Sequence, residues 1–228
     1  MIHDTKHQVI LENKAKMIEL YTWTTPNGRK ISIALEEMGL NYKTHLIDIN
    51  KGDQHAEDFV KISPNHKLPV LVDGENTIFE SGAILLYLAD KTGQFIPEKT
   101  TSEYWETVSW LMWQKAAFGP ILGQTHHFLT YHPGKSPFAA EHFSNTTAKL
   151  YEVLDLRLSD HEFIMDEITI ADFAIWPWVA RFDRQKIDVG AYPHVTRWYE
   201  TLAKRDGFIK GYAKPFDVEA IPQIKPLN

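Results

Sequence analysis

The residues with the clearest chemical potential form a short turn, Thr24-Thr25-Pro26-Asn27, between an extended run and a helix-forming run. Hydroxyl and amide groups at a helix N-terminus can donate hydrogen bonds to an anion, and the helix dipole adds partial positive charge. The chain contains no cysteine, so sulfur chemistry at this turn would need a thiol brought by a ligand. The same residue types are equally typical of a plain strand-to-helix turn.

Two further patterns have simpler interpretations than catalysis. Thr169 and Asp172 have the spacing of a capping box at the start of an apolar run, which predicts a helix start and no catalytic role for Asp172. His126 and His127 are adjacent, and adjacent side chains on a helix point about 100° apart. No nearby acid completes a ligand set, so the sequence predicts no metal site.

Composition and charge exclude several classes of partner. The chain has 228 residues, 43% of them hydrophobic, which is enough for a sizeable core in one large or two modest domains. A net charge of −6 without a basic stripe predicts binding to neither nucleic acid nor a membrane surface. The sequence has no secretory signal and no apolar window near the roughly 20 residues of a membrane span, so we expect a cytoplasmic protein.

Hydrophobic periodicity predicts a βαβ-ββα unit in the first part of the chain. A helix follows Pro26 and ends at Gly39, and a hairpin turns at residues 73–76. A second helix begins near Ser81 and closes the unit. The predicted strands and the partly helical segment complete it: strands at residues 17–23 and 41–49, and the segment at 51–62.

Every later periodic segment is helical, which predicts an all-α second domain. The predicted helices include residues 102–118, 138–160 and 193–206. A polar, proline-containing segment separates the two units. The predicted organisation is an N-terminal extension at 1–16, an α/β domain at 17–93, a linker at 94–101, an all-α domain at 102–212 and a tail at 213–228.

This order of elements, with its motifs, resembles the cytosolic glutathione transferase superfamily over roughly residues 17–212. The motifs are "TPNGRKI", "KGDQ", "ISPNHKLPVLVD", "ESGAILLYLADKTG", "GPILGQTHHF" and "TIADF". Within the superfamily they look most like the bacterial Nu class of glutathione-dependent disulfide reductases. The resemblance implies a thioredoxin-like α/β domain joined to an all-α domain, a homodimer, and glutathione as co-substrate without a metal.

The resemblance also implies roles for two residues of the turn at residues 24–27. Thr25 is expected to be the first hydrogen-bond donor to the glutathione thiolate and Asn27 the second. Tyr21 is a rival donor, because other classes use a tyrosine hydroxyl, but it lies mid-strand and is expected to be in the core.

The rest of glutathione needs partners for two carboxylates, an ammonium and a peptide backbone. Ser81 is expected to cap its helix and face the γ-glutamyl carboxylate, and Glu80 to take the ammonium. Each could instead be an ordinary cap or surface acid. The resemblance implies a cis bond between Leu68 and Pro69, with Leu68 pairing with the cysteinyl backbone. It assigns the glycyl end to Gln54 and Lys67, which could equally be solvated.

A second half-site is implied on the helical domain. By resemblance, Gln124 and the histidines His126 and His127 line the cleft opposite the thiol and contact the second half of a disulfide. Relatives usually carry arginine near the position of His142, where it contacts a glutathione carboxylate. A largely neutral imidazole offers less than a guanidinium, so binding of a second glutathione is expected to be weaker here.

The predicted activity is reduction of disulfides by bound glutathione thiolate, followed in rank by hydroperoxide reduction and conjugation of electrophiles. Two alternatives stay open. One is a non-catalytic, glutathione-binding regulatory protein on the same scaffold. The other is a thioredoxin-like interaction domain that does not bind glutathione, which would leave Glu80 and Ser81 unexplained.

Overall fold

The computed structural model describes residues 17–216 and 220–224. Its sheet has the strand order β2-β1-β3-β4, with β1 parallel to β2 and the remaining pairs antiparallel. The strands are β1 (Ile18–Thr22), β2 (Tyr42–Leu46), β3 (Val70–Asp73) and β4 (Asn76–Phe79). The predicted hairpin is confirmed by the β3–β4 pairing. The predicted extension at 1–16 and the tail segments 217–219 and 225–228 lie outside the described residues.

Three helices accompany the sheet: α1 (Pro26–Glu37), α2 (Glu57–Ile62) and α3 (Ser81–Thr92), with a 3₁₀ turn at Asp53–His55. The first of them begins where Thr25 caps it and Pro26 occupies its first turn. It ends before Gly39, whose φ of +65° suits glycine. The βαβ-ββα unit is therefore confirmed.

The second unit is entirely helical, so the predicted fold class is confirmed. Its elements are α4 (Ser102–Trp113), a π-helix (Gln114–Phe118), α5 (Gly119–His126), a second π-helix (His127–Tyr131), α6 (Pro137–Asp160), α7 (Ile170–Val179), α8 (Phe182–Gln185), a 3₁₀ turn (Val189–Ala191), α9 (Pro193–Leu202) and α10 (Asp206–Ala213). The Tyr199 hydroxyl donates to the carbonyl of Pro222 at 2.7 Å, so the end of the described chain lies on α9.

Two predicted helices differ from those observed. The helix predicted at 102–118 changes at Gln114 to a π-helix, in which the Gly119 N–H bonds to the Gln114 carbonyl five residues earlier. A Cβ on Gly119 would lie 2.6 Å from the Gln114 side-chain nitrogen and 3.2 Å from the Gln114 carbonyl, so a larger residue there would require the Gln114 side chain to move. The helix predicted at 193–206 ends at Leu202, and Arg205, beyond its end, pairs with Glu37 of α1.

Helix α10 packs directly on the backbone of α1. A Cβ on Gly211 would lie 2.5 Å from the Ile33 Cα, and the Ser32 hydroxyl donates to the Gly211 carbonyl at 2.6 Å. Helix α1 is thus held between the sheet and the helical unit. Because α1 starts at the turn singled out from the sequence, both units position that turn.

The predicted capping box is confirmed at the start of α7. The Asp172 carboxylate accepts the Thr169 N–H at 2.9 Å, and the Thr169 hydroxyl accepts the Ala171 N–H at 3.3 Å. The same carboxylate also accepts from the Ile164 N–H at 3.0 Å and from the Trp198 indole at 2.8 Å. Asp172 therefore organises the helical core. In the described parts of the chain, no helix combines the length and apolar character that crossing a bilayer requires.

Candidate functional site

Thr25 presents an uncommitted hydroxyl hydrogen at the start of α1. Its Oγ1 accepts the Gly28 N–H at 3.1 Å and so caps the helix. No hydrogen bond donated by this hydroxyl is found among the described residues. An oxygen that accepts one hydrogen bond becomes a better donor for another. Thr25 can therefore cap the helix and donate to a bound anion at the same time.

Asn27 presents an amide nitrogen to the same region. Its Oδ1 accepts the indole N–H of Trp178 at 3.1 Å, which leaves Nδ2 without a partner among the described residues. Asn27 also lines a surface cleft next to α1. Both members of the predicted donor pair therefore have free N–H or O–H groups.

The cleft brings together six of the residues predicted from the sequence. Its lining consists of Asn27, Ser63, Asn65, Lys67, Leu68, Pro69, Phe79, Glu80, Ser81 and Lys115. The Leu68–Pro69 bond is cis, as the resemblance implied. Within 17–216 and 220–224, neither the N–H nor the C=O of Leu68 has a hydrogen-bond partner. An extended peptide backbone could therefore pair with Leu68.

The prediction that Ser81 caps α3 is wrong. The helix begins at Ser81 itself, and the residue in the cap position, Glu80, makes no side-chain cap. The Ser81 hydroxyl instead accepts hydrogen bonds from the side-chain nitrogens of Lys30 and Lys115, each at 3.4 Å. The N–H groups of the first turn consequently have no side-chain cap and can bind an anion.

Lysine side chains from both units converge on this helix terminus. Lys115, in the π-helix, forms an ion pair with Glu80 at 2.7 Å, and a Cβ on Gly82 would lie only 3.2 Å from the Lys115 side chain. Lys30 is 1% exposed and donates to the Gln114 side chain at 2.6 Å. Burial lowers the pKa of Lys30 well below its ordinary value; the Lys115 charge lowers it further and Glu80 opposes this. An incoming carboxylate would meet the Lys115 side chain, which lines the cleft, and the uncapped start of α3.

Glu80 has an unusual backbone conformation, with φ of +70°. Positive φ is uncommon for a residue with a Cβ and occurs disproportionately at functional sites. Its side chain is 48% exposed despite the ion pair with Lys115. The Glu80 carboxylate therefore remains accessible to an ammonium group in the cleft.

The residues predicted for the glycyl end are only partly brought together. Lys67 is exposed and lines the cleft, whereas Gln54 is not among the lining residues. The Gln54 amide nitrogen lies 3.2 Å from His55 Nε2, and His55 Nδ1 lies 3.2 Å from His66 Nδ1. A contact between Gln54 and the glycyl carboxylate stays a prediction.

The predicted second half-site contains exposed and buried residues. Gln124, His127 and His142 are exposed, and His142 stacks on Phe138 with ring centroids 6.1 Å apart. Their contact with a substrate stays a prediction. His126 is buried and stacks on the Trp178 indole instead. Burial lowers the pKa of His126 to about 4, with smaller contributions from Arg184 and Arg181, so this imidazole is neutral at pH 7.

Tyr21 does not compete with Thr25 for the site. Its hydroxyl donates to Glu19 at 3.3 Å and its ring stacks on His45 at 4.5 Å. The side chain is half-buried on the sheet rather than in the core, so its predicted place in the core is wrong. The Glu19 carboxylate and the His45 imidazole hold the Tyr21 side chain in this position.

Sequence reasoning missed Lys30, Lys115 and Trp178. The only available signal was for Lys30, which lies three residues after Asn27 on the same helix and so shares its face. Lys115 and Trp178 belong to the helical unit, and no spacing in the sequence relates them to the turn. No cluster of three or more His, Asp or Glu side chains that could hold a metal occurs in the described part of the chain.

Two family profiles match most of the chain. The profile of the glutathione S-transferase N-terminal domain matches residues 16–90, and that of the C-terminal domain matches residues 121–206. Among curated proteins, the chain is 46% identical to the disulfide-bond oxidoreductase YfcG of Escherichia coli strain K12, over 83% of this chain and 91% of that protein. It is 38% identical to the disulfide-bond oxidoreductase YghU of the same strain, over 90% and 77%.

Solved structures agree with these matches. A crystal structure of a glutathione transferase from Burkholderia graminis, with two glutathione molecules bound per subunit, superimposes with a TM-score of 0.83. The two sequences are 33% identical, and the match covers 88% of this chain and 89% of that one. The fold is therefore shared with a protein whose crystal structure contains bound glutathione.

Proposed function

Because the chain belongs to the glutathione S-transferase family, we propose that it is a Nu-class glutathione-dependent disulfide-bond reductase. Bound glutathione thiolate is the nucleophile, since the chain has no cysteine of its own. The observation that carries this proposal is the pair of free donors, Thr25 Oγ1 and Asn27 Nδ2, at the N-terminus of α1, where Asn27 lines the cleft. Relatives named disulfide-bond oxidoreductases support the choice of reaction.

The donors supply enough energy for the proposed ionisation. Lowering a thiol pKa from about 8.5 to about 6.5 requires roughly 2.7 kcal/mol. The helix dipole contributes about 0.3 to 1 kcal/mol. A hydrogen bond to a charged group contributes about 1.5 to 3 kcal/mol, so one good donor supplies the remainder.

The proposed reaction is a pair of thiol–disulfide exchanges. The bound thiolate attacks one sulfur of a disulfide, forms a mixed disulfide with it, and releases the other sulfur as a thiolate that takes a proton from water. A second glutathione thiolate then attacks the glutathione sulfur of the mixed disulfide, which yields glutathione disulfide and a second free thiol. Two glutathiones are oxidised for each disulfide reduced, and the protein supplies orientation and charge stabilisation.

Each part of the tripeptide has a proposed partner on the protein. The γ-glutamyl carboxylate binds at the start of α3 near Ser81 and Lys115, and its ammonium binds Glu80. The cysteinyl backbone pairs with Leu68, after which Pro69 leads into β3. Lys67 and Gln54 receive the glycyl carboxylate. Gln124, His127 and His142 contact the second half of the disulfide.

Replacing the ammonium partner tests this placement. We expect Glu80→Gln to raise the KM for glutathione about tenfold with little change in kcat, because the contact is made equally before and during the reaction. Initial rates at varied glutathione concentration measure it. Glu75→Gln, an exposed acid on the β3–β4 turn, is the matched control and should leave KM unchanged. A fall in kcat at constant KM would contradict this role for Glu80.

Turnover tests the reaction itself. Steady-state reduction of a small mixed disulfide by glutathione should be faster than hydroperoxide reduction, and both faster than conjugation of an aryl halide. Binding of glutathione without turnover of any of the three would favour the non-catalytic regulatory protein. Failure to bind immobilised glutathione would favour the thioredoxin-like interaction domain.

The proposed assembly is a homodimer in the cytoplasm, where glutathione is kept reduced. Large apolar side chains remain exposed on β4 and α4: Phe79 at 46%, Trp105 at 63% and Met112 at 44%. Trp105 and Met112 are two turns apart on one face of α4. Such a face supports contact with a second copy of the chain.

A further inference from the structure

We propose that Trp178 is a positioning residue that fixes which end of the Asn27 carboxamide faces the glutathione thiolate. This role rests on the proposed function and adds a residue from the helical unit to the thiol-binding machinery. The Trp178 indole N–H donates a hydrogen bond to Asn27 Oδ1 at 3.1 Å, and this contact is the basis of the proposed role.

The orientation follows from hydrogen-bonding chemistry. An indole N–H can only donate, so the carboxamide must turn its oxygen toward Trp178. The Asn27 Nδ2 then points away from the indole, on a residue that lines the cleft. A flipped carboxamide would set two donors against each other and turn its oxygen, an acceptor, toward the thiolate. Without the Trp178 indole N–H, this hydrogen bond would no longer favour one orientation of the Asn27 carboxamide over the other.

The indole is itself held firmly. Trp178 is 8% exposed, and His126 stacks on it with ring centroids 5.7 Å apart. Two glycines of α5 lie against it: a Cβ on Gly119 would lie 3.4 Å from the indole and one on Gly123 would lie 3.5 Å from it, both ordinary contact distances. The neighbouring imidazole is neutral at pH 7, so it adds no charge beside the donor pair.

A second bond from the same end of α7 holds the backbone of the turn. Arg181 lies three residues after Trp178 and donates to the Thr24 carbonyl at 2.9 Å. Trp178 therefore acts on a turn whose backbone is already anchored to the helical unit. Its specific contribution is the direction of the Asn27 side chain.

The test is Trp178→Phe, which removes the indole N–H and keeps an aromatic ring. We expect turnover with a small disulfide to fall about threefold to tenfold, and the pKa of bound glutathione to rise by about half a unit to one unit. Ultraviolet absorbance of the thiolate, followed as pH is varied, measures that pKa. A substitution that only weakened the structure would lower the melting temperature and leave the pKa of the bound thiol unchanged.

Two controls make the result decisive. Trp110→Phe removes a partly buried indole whose N–H has no partner among the described residues, and it should leave the thiol pKa unchanged. In an Asn27→Ala background, Trp178→Phe should cost nothing further, because its effect passes through Asn27.

Opposite outcomes overturn the proposal. An unchanged thiol pKa in Trp178→Phe, or an equal loss with and without Asn27, would show that Trp178 does not act through the carboxamide. If the wild-type protein itself binds glutathione without forming thiolate, or binds none, the proposed function fails and this role fails with it. A normal wild-type thiolate with no response to Trp178→Phe removes only the role of Trp178.

Discussion

Thr25→Ala is expected to lower turnover with a small disulfide at least tenfold while the protein stays folded. The substitution removes the hydroxyl whose hydrogen is free to donate to the bound thiolate. A hydrogen bond to a charged group is worth about 1.5 to 3 kcal/mol, which corresponds to more than a tenfold change in rate. Steady-state kinetics measure the loss, and titration of the bound thiol should show a higher pKa.

The same substitution removes a helix cap, so the two effects need separate controls. Losing the cap should cost about 1 kcal/mol of stability. Thr101→Ala removes an equivalent threonine cap, which accepts the Tyr104 N–H at 3.3 Å, and should lower stability without slowing turnover. Thr25→Ser keeps both cap and donor and should retain most of the activity. Wild-type turnover in Thr25→Ala would remove Thr25 from the mechanism.

The largest expected effect on stability is that of Asp172→Ala. The substitution leaves the Ile164 N–H, the Thr169 N–H and the Trp198 indole without their buried acceptor. Each unsatisfied donor costs about 1 to 3 kcal/mol, so we expect the free energy of unfolding to fall by about 3 to 5 kcal/mol. Urea denaturation measures it. Asp188→Ala, which removes an exposed acceptor of one N–H, should cost less than about 1 kcal/mol.

A second variant, Asp172→Asn, tests the charge of this residue. Burial raises the pKa of the Asp172 carboxyl to about 6, and the hydrogen bonds it accepts oppose that rise only in part. The folded protein therefore keeps this proton up to about pH 6, whereas the unfolded chain loses it near pH 4. The resulting contribution to stability is present below about pH 4 and is lost as pH rises through 6. Asp172→Asn should lack this fall, and parallel pH profiles would contradict it.

Local sequence patterns predicted several elements of the fold. The Asp73-Gly74-Glu75-Asn76 turn lies between two β-branched runs, and it forms the predicted hairpin. Thr169 and Asp172 have capping-box spacing, and they form that box. Such features depend on neighbours within a few residues, so the sequence contains all the information needed.

Contacts between the units could not be predicted in this way. Asn27 and Trp178 are 151 positions apart, and Lys30 and Gln114 are 84 positions apart. Apolar periodicity predicted a continuous helix through Gln114, because a single wide turn barely disturbs the pattern. Ser81 has the side chain of a typical cap, but two lysines from elsewhere in the chain occupy its hydroxyl. In each of these places, contacts with residues distant in the sequence determined the structure.

In the proposed mechanism, the turn that begins α1 holds the glutathione sulfur without a covalent bond to the protein. A cysteine enzyme that is over-oxidised to a sulfinic or sulfonic acid is permanently inactivated unless a repair system rescues it. Here an over-oxidised glutathione would dissociate, and an intact glutathione from solution would replace it. Oxidant concentrations that inactivate cysteine-dependent enzymes would therefore leave this protein active once reduced glutathione binds again.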